Sequence, residues 1–352
     1  MNSTKNSNGA SVALYRKYRP KTFADVLDQD GVVKVLEAAI KKDNIAHAYI
    51  FAGSRGTGKT SVARIFAREI GTTDDDVYEI DAASNNGVDE IRLIKEAVQT
   101  RPFSSKYKVY ILDEAHMLSK SAWNALLKTL EEPPAYVIFI LATTEMEKVP
   151  ETVISRCQVF SFKKPTHETL KKVTINIARA EGFTLEKSAA ELIAFLGDGS
   201  FRDAQVILQK VITAQSGKSI SIENVETVSG APKGKLLEDV LIGIEEKDSS
   251  KSLLAIEKAK EQNIDMKLFL RLLLERVRVV LLLRFAKEME KKLSENYTEG
   301  DFKLLKDLAN KKGGVINSKV LDELLCAYEE INFAAIKELP LQLALMRIMG
   351  DK

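Results

Sequence analysis

The residues best arranged for chemistry are Gly53-Ser54-Arg55-Gly56-Thr57-Gly58-Lys59-Thr60, which satisfy the pattern Gly-x-x-x-x-Gly-Lys-Ser/Thr. They follow an apolar run ending at Phe51 and precede a helical pattern through Ala63, Phe66 and Ala67, so the motif stands in strand-loop-helix context. Glycines at this spacing let backbone N–H groups turn inward around phosphates, and the following helix presents its positive end to them. Lys59 is expected to neutralise the β and γ phosphates and the Thr60 hydroxyl to hold magnesium, with Ser61 beside them in the nucleotide contact. A chance glycine-rich turn is the plain alternative, and it does not account for the flanking strand and helix.

Hydrolysis needs a second element, and Val109-Tyr110-Ile111-Leu112-Asp113-Glu114 supplies it as an apolar strand ending in two carboxylates. Asp113 can orient the magnesium shell and Glu114 can orient and polarise the attacking water, because phosphoryl transfer asks chiefly for positioning and charge stabilisation. Another apolar run, Val137 to Ala142, ends in Thr143-Thr144. A polar residue there either reaches between the nucleotide and Glu114 or caps the next turn, and spacing leaves both readings open. Two arginines are candidates for the γ phosphate. Arg156, in Ser155-Arg156-Cys157, lies at an edge of the core from which its own loop is hard to reach; Arg202 follows Ser200, a plausible N-cap, in the first turn of a helix. An ordinary surface salt bridge is the alternative for each.

Short apolar runs carry these groups: Ala48 to Phe51, Tyr78 to Asp81, Val109 to Leu112, Val137 to Ala142 and Gln158 to Phe162, alternating with helical patterns. That rhythm predicts an α/β core with a parallel sheet and crossover helices. One such helix shows Trp123, Leu126, Leu127 and Leu130 on a single face and stops at Glu131-Glu132-Pro133-Pro134. Beyond Lys164-Pro165 strand-like runs vanish, and amphipathic segments at about 167 to 181, 186 to 196, 201 to 215 and 222 to 229 predict a small helical bundle. The break Ser229-Gly230-Ala231-Pro232-Lys233-Gly234 precedes purely helical periodicity. The expected division is a disordered lead-in over 1–12, a P-loop core over 13–164, a helical lid over 165–229 and an all-α domain over 230–352.

At 352 residues the chain is long enough for two or three domains. With 45% hydrophobic and 29% charged residues and a formal charge of +2, it reads as a folded globular protein whose nucleic-acid contacts must be local. The cysteines Cys157 and Cys326 are too few for a disulfide framework or a four-thiolate zinc site, which points to a reducing compartment, the cytoplasm. The first residues contain no signal-like apolar run, and the apolar stretch Leu268 to Phe285 is broken by Arg271, Glu275, Arg276, Arg278 and Arg284, so a buried helix is expected there and no membrane partner.

The phosphate loop, Ile111-Leu112-Asp113-Glu114-Ala115-His116-Met117-Leu118, Asn124 to Pro134 and Ser155-Arg156-Cys157, together with Leu14 to Phe23 and Glu79 to Ser84, resemble the gamma/tau subunits of bacterial DNA polymerase III clamp loaders, a family of AAA+ ATPases. The likeness runs from Leu14 to about Val228, and the helical tail resembles the collar of that family in character and place. The resemblance implies an AAA+ core with a helical lid and collar, in a ring where ATP sits between subunits. Tyr18, Arg19, Pro20 and Val26 would border the adenine, Thr144 would be the first sensor, Arg202 the second in cis, and Arg156 the finger offered to the next subunit's ATP. It implies as partners copies of the chain, the delta and delta-prime subunits, the sliding clamp and primer-template DNA, in the replisome of a bacterial cytoplasm, and no polymerase active site. Asn85, Asn86, Gly87 and Arg92 are the DNA-contact candidates, with a solvated helix start beside Asp89 and Glu90 as the alternative. The family's four-cysteine module shrinks here to Gly71-Thr72-Thr73-Asp74-Asp75-Asp76, so no structural zinc is expected. The sequence stops near the expected end of the collar, leaving outside it the tail that ties polymerase and helicase to the loader. A scaffold that binds ATP without turnover would not require Lys59, Asp113, Glu114 and Arg156 together, and a branch-migration motor would not account for the Ser-Arg-Cys string or Asn124 to Pro134.

Overall fold

The computed structural model describes residues 12–311 and 313–350, so all but the last position of the expected lead-in lies outside the described residues. The chain divides into two compact units. One runs to Val173 and takes in Ala194–Val206; the other comprises Thr174–Ile193 and the chain from Ile207 onward.

The first unit contains α1 (Leu14–Lys17), α2 (Asp30–Lys41), β1 (Ala48–Ala52), α3 (Lys59–Glu69), β2 (Val77–Asp81), α4 (Val88–Val98), β3 (Lys108–Asp113), α5 (Lys120–Glu131), β4 (Val137–Thr143), α6 (Glu151–Ile154) and β5 (Gln158–Ser161). The strands form one parallel sheet in the order β2-β3-β4-β1-β5. Side chains alternate across a strand, and because helices cover both faces the three inner strands β3, β4 and β1 are buried along nearly their whole length, while the edge strands β2 and β5 carry Glu79, Asp81 and Gln158. Tyr49, Phe51, Val109, Ile111, Ile138 and Ile140 meet Leu36, Val62 and Phe66 on one face. Ile50, Tyr110, Leu112, Phe139 and Leu141 meet Ile91, Ile94, Val98, Trp123, Leu126 and Leu130 on the other. The Ser119 hydroxyl caps α5 by accepting the Ala122 N–H at 3.2 Å.

At the start of β2 and β3 a buried carboxylate closes the sheet. Asp76, 0% exposed, accepts N–H bonds from Phe103 at 2.6 Å and from Ser104 and Ser105 at 2.9 Å. Burial pushes its pKa up, but the N–H bonds from Ser104 and Phe103 more than reverse this and hold it below the usual carboxylate range.

Further along lie α7 (His167–Ala180), β6 (Thr184–Leu185), α8 (Lys187–Leu196), α9 (Phe201–Ala214), β7 (Ser219–Ile220) and α10 (Ile222–Ser229). The expectation of helices alone past Pro165 is corrected by β6 and β7, which pair in parallel through Thr184 with Ser219 and Leu185 with Ile220. Two residues per strand are too few to show a period-2 pattern, yet Thr184 N–H reaches Lys218 O at 2.7 Å and Glu186 N–H reaches Ile220 O at 3.1 Å.

The second unit continues through α11 (Gly234–Glu246), α12 (Ser249–Glu261), α13 (Met266–Phe285), α14 (Glu290–Ser294), α15 (Glu299–Asn310), α16 (Ser318–Glu330) and α17 (Leu339–Met349). The expected buried helix is α13, whose Phe269, Leu270, Leu273, Val277 and Val280 form the centre of an all-helical core. Buried Arg276 is matched by Asp301 at 3.0 Å, as a buried charge requires. Among the described residues no helix is long and apolar enough to cross a membrane.

Candidate nucleotide site

The loop between β1 and α3 keeps its shape because side chains are sterically excluded from it. A Cβ on Gly53 would lie 2.5 Å from the Phe162 carbonyl oxygen, and one on Gly56, at φ +73°, would collide with the Ser200 side chain. Ser200 caps α9 by accepting the Asp203 N–H at 3.1 Å, and the Phe201 N–H donates to the Gly56 carbonyl at 3.0 Å. The first turn of α9, with Arg202, is thereby fastened to the loop.

Inside the loop the Lys59 ammonium, on a residue 5% exposed, donates to the carbonyls of Gly53 at 2.7 Å and Ser54 at 2.9 Å. Burial lowers its pKa, opposed by Glu114 and Asp113. Thr60 Oγ1 donates to Asp113 Oδ2 at 2.8 Å, and Asp113 Oδ1 accepts the Glu114 N–H at 3.0 Å. A hydroxyl beside a carboxylate is the hard oxygen donor set that suits magnesium. Glu114 leaves β3 in the left-handed region at φ +49°, an uncommon backbone for a residue with a side chain. Its Oε2 accepts from Thr144 Oγ1 at 3.2 Å. The two threonines therefore divide the two readings between them: Thr143, fully buried, accepts the Glu145 N–H at 3.1 Å as a turn cap, and Thr144 faces Glu114.

These groups share one cavity of about 570 Å³, lined wholly by residues of the first unit. Lys59, Thr60, Asp113 and Glu114 are on its wall with Arg55, Gly56, Thr57, Gly58 and Ser61. Tyr18, Arg19, Pro20 and Val26 line it as well, and so does Arg202. Gly53 and Ser54 lie behind the wall with their carbonyls on Lys59, and Thr144 lies behind Glu114. The Arg202 guanidinium rests over the Tyr15 ring, 4.9 Å from its centroid. Burial pulls the Arg19 pKa down, with neighbouring Arg64 adding to the effect, while Arg64 is ion-paired to Glu79.

The motifs did not identify Tyr15, Arg16, Asp25, Glu79, Asp81, Phe201 and Gln205 as wall residues. Tyr15 and Arg16 are in the same string as Tyr18, and Phe201 and Gln205 are on the helix of Arg202, so adjacency was the available signal.

Other expected residues are not brought to the cavity. Arg156 binds Glu131 Oε1 at 2.6 Å and donates to the Thr152 carbonyl at 2.6 Å, the surface pairing that was its alternative. The neighbouring Cys157 is half-buried, and desolvation pushes its thiol pKa up to about 12, so it stays protonated. Asn85 donates its side-chain amide to Asp81 O at 3.0 Å, Asn86 O accepts the Ser119 N–H at 3.1 Å, Gly87 caps α4, and Arg92 pairs with Asp89 at 2.8 Å.

A family profile described as "DNA polymerase III, delta subunit" matches residues 28–86 and 71–166. The chain is 43% identical over 274 residues to the DNA polymerase III subunit tau of Bacillus subtilis (strain 168), which covers 72% of this chain and 48% of that protein. It is 32% identical over 365 residues to the DNA polymerase III subunit gamma of Buchnera aphidicola subsp. Acyrthosiphon pisum (strain APS), covering 96% of this chain and 98% of that one. The chain belongs to the gamma/tau family of DNA polymerase III subunits. Other gamma/tau proteins are longer: this chain spans 34% of the Mycoplasma pneumoniae subunit and about half of the Bacillus one. Among solved structures, the RuvB Holliday-junction branch-migration motor of Thermotoga maritima aligns with a TM-score of 0.52 at 23% identity, over 64% of this chain and 79% of that one. At that identity the likeness carries the fold alone, and the gamma/tau chain thus has the AAA+ fold.

Proposed function

We propose that this gamma/tau chain is an ATP-driven motor subunit of a replicative clamp loader, binding and hydrolysing ATP at subunit interfaces to load a sliding clamp onto primed DNA. The observation that carries the reading is the convergence of Lys59, Thr60, Asp113, Glu114 and Arg202 on one cavity from three separate stretches of chain. A scaffold would need the cradle but not a carboxylate aligned by Thr144.

In this reading Tyr18, Arg19, Pro20 and Val26 border the adenine, and the N–H groups of the loop and Lys59 neutralise the phosphates. Thr60 and Asp113 would hold magnesium, which supplies charge neutralisation at the β and γ oxygens. Glu114 orients the attacking water, and Thr144, hydrogen-bonded to it, senses the γ phosphate. Arg202 shifts from the Tyr15 ring onto the same phosphate in cis. Arg156 exchanges Glu131 for the ATP of the neighbouring subunit. The working architecture is a core over 13–164, a lid over 165–229 and a collar over 230–352, with Ala194–Val206 of the lid compact with the core.

The assembly includes copies of the chain, the delta and delta-prime subunits, the clamp and primer-template DNA, in a bacterial cytoplasm. Asn85, Asn86, Gly87 and Arg92 meet DNA phosphates at the start of α4, with Arg92 released from Asp89. Such binding would weaken with salt and show little sequence preference. The test is ATP turnover with and without sliding clamp and primed DNA: stimulation by both together is expected, and a rate indifferent to both would overturn the reading.

A further inference from the structure

We propose that His116 is a positioning residue for Glu114, and that it links this carboxylate to the segment leading to Arg156. The inference deepens the reading above and rests on it, since it presumes that Glu114 orients the attacking water.

His116 follows Glu114 in a short 3-10 turn, Ala115–Met117, and its side chain is 6% exposed. The ring is held at three points. Nδ1 lies 3.2 Å from Thr143 Oγ1 and 3.6 Å from Glu114 Oε2, and Nε2 lies 3.2 Å from Glu145 Oε1. Thr143 Oγ1 already accepts the Glu145 N–H, so its own hydrogen is free to go to Nδ1. A ring with one hydrogen, on Nε2, then satisfies both of the shorter contacts: Nε2–H donates to Glu145 and Nδ1 accepts from Thr143.

The consequence falls on Glu114. With its lone pair taken by Thr143, Nδ1 has no hydrogen for the carboxylate, and the ring stands against Oε2 as a wall. Thr144 donates to that same oxygen. One side of the carboxylate is thus fixed by a hydroxyl donor and another by an imidazole edge. This restricts its swing without satisfying it as a salt bridge would, and leaves it able to accept from a water.

The opposite side of the ring leads toward Arg156. Glu145 Oε2 is bound by Lys148 at 2.8 Å, and the hydrogen bond from Lys148 keeps the Glu145 pKa low, so the acceptor for Nε2–H stays ionised. Glu145 and Lys148 flank the turn that passes through Pro150 into α6, directly before Arg156. A movement of Glu114 therefore meets, through one ring, the strand end and turn on which the outward arginine is mounted.

The test uses the full chain assembled with its partner subunits, measuring nucleotide Kd and single-turnover hydrolysis. His116→Phe keeps a ring of similar size without nitrogens; His116→Gln keeps a donor for Glu145. Nucleotide Kd should stay within about threefold in both while the hydrolysis rate falls by roughly 10- to 100-fold in the Phe variant and less in the Gln variant. Glu145→Gln should slow hydrolysis and add nothing further when combined with His116→Phe. A His116→Phe rate within twofold of wild type overturns the proposal, as does a parallel loss of Tm, Kd and rate in both His116 variants. Glu114→Gln separates the two levels: if it leaves hydrolysis intact the role of Glu114 fails, and if it abolishes hydrolysis while His116→Phe does not, only the role of His116 fails.

Discussion

Arg202 enters the cavity from the first turn of α9, which the Phe201 N–H fastens to the phosphate loop, whereas Arg156 leaves α6 for the surface and is met by Glu131 at the end of α5. Both residues belong to the same compact unit, and sequence reasoning ranked them alike. The contrast teaches that the chain brings one arginine to its own cavity with its own elements and keeps a second guanidinium where that cavity cannot use it, as the proposed shared site requires. An exposed pair such as Arg156 with Glu131 is worth little, about 0–1 kcal/mol, so a triphosphate from another molecule can displace Glu131 at small cost. Arg202, stacked on Tyr15 beside the cavity, needs only a local shift.

The comparison can be broken at its inward side first. Lys59→Ala should abolish nucleotide binding, read as loss of binding of a fluorescent ATP analogue, because it removes the ammonium that the loop holds with its own carbonyls. Arg156→Ala should leave that binding intact and lower turnover in the assembled loader by about a thousandfold or more. Mixed with wild type it should depress the rate below the weighted mean of the two; a strictly additive rate would count against a shared site. Arg202→Gln, acting in cis, should cost roughly 10- to 100-fold in turnover with the loss fully additive on mixing. Asp76→Asn serves as the control remote from both arginines. The folded pKa of Asp76 is depressed, so its stabilisation is fully present above the unfolded value of about 3.9 and is lost as pH falls through the folded value. Wild type should therefore lose stability in acid along a limb that the variant lacks, while at pH 7 the variant unfolds with roughly 1–3 kcal/mol less stability and unchanged nucleotide Kd.

Much of this was legible in the sequence because its signals are local. The central strands are near-continuous apolar runs, and the expected limits of Ala48 to Phe51 and Val137 to Ala142 fall within one residue of β1 and β4. The phosphate loop is legible for the same reason: its geometry is dictated by glycines a few positions apart. What stayed hidden depends on contacts between distant positions. Nothing local distinguishes Thr143 from Thr144, since the register of β4 beside β3, together with the alternation of side chains, decides which one meets Glu114. Tyr15 becomes the rest for Arg202, and Glu131 the partner of Arg156, across 187 and 25 positions of chain. His116 was written in the motif string, but its grip on Glu145 exists only once β3 and β4 lie side by side. The strands β6 and β7 were too short to announce themselves.

Asp76 sits where β2 and β3 begin, and the phosphate loop sits where β1 ends, so in a parallel sheet they occupy opposite rims of one slab. The far rim is moored by a carboxylate that grips three successive amides and holds the turn bearing Phe103, itself 86% exposed, in a fixed posture. A mooring of that kind is made of one side chain and backbone amides, at the rim away from the phosphate loop. In the proposed motor, the rim that handles the phosphates would work against this keel.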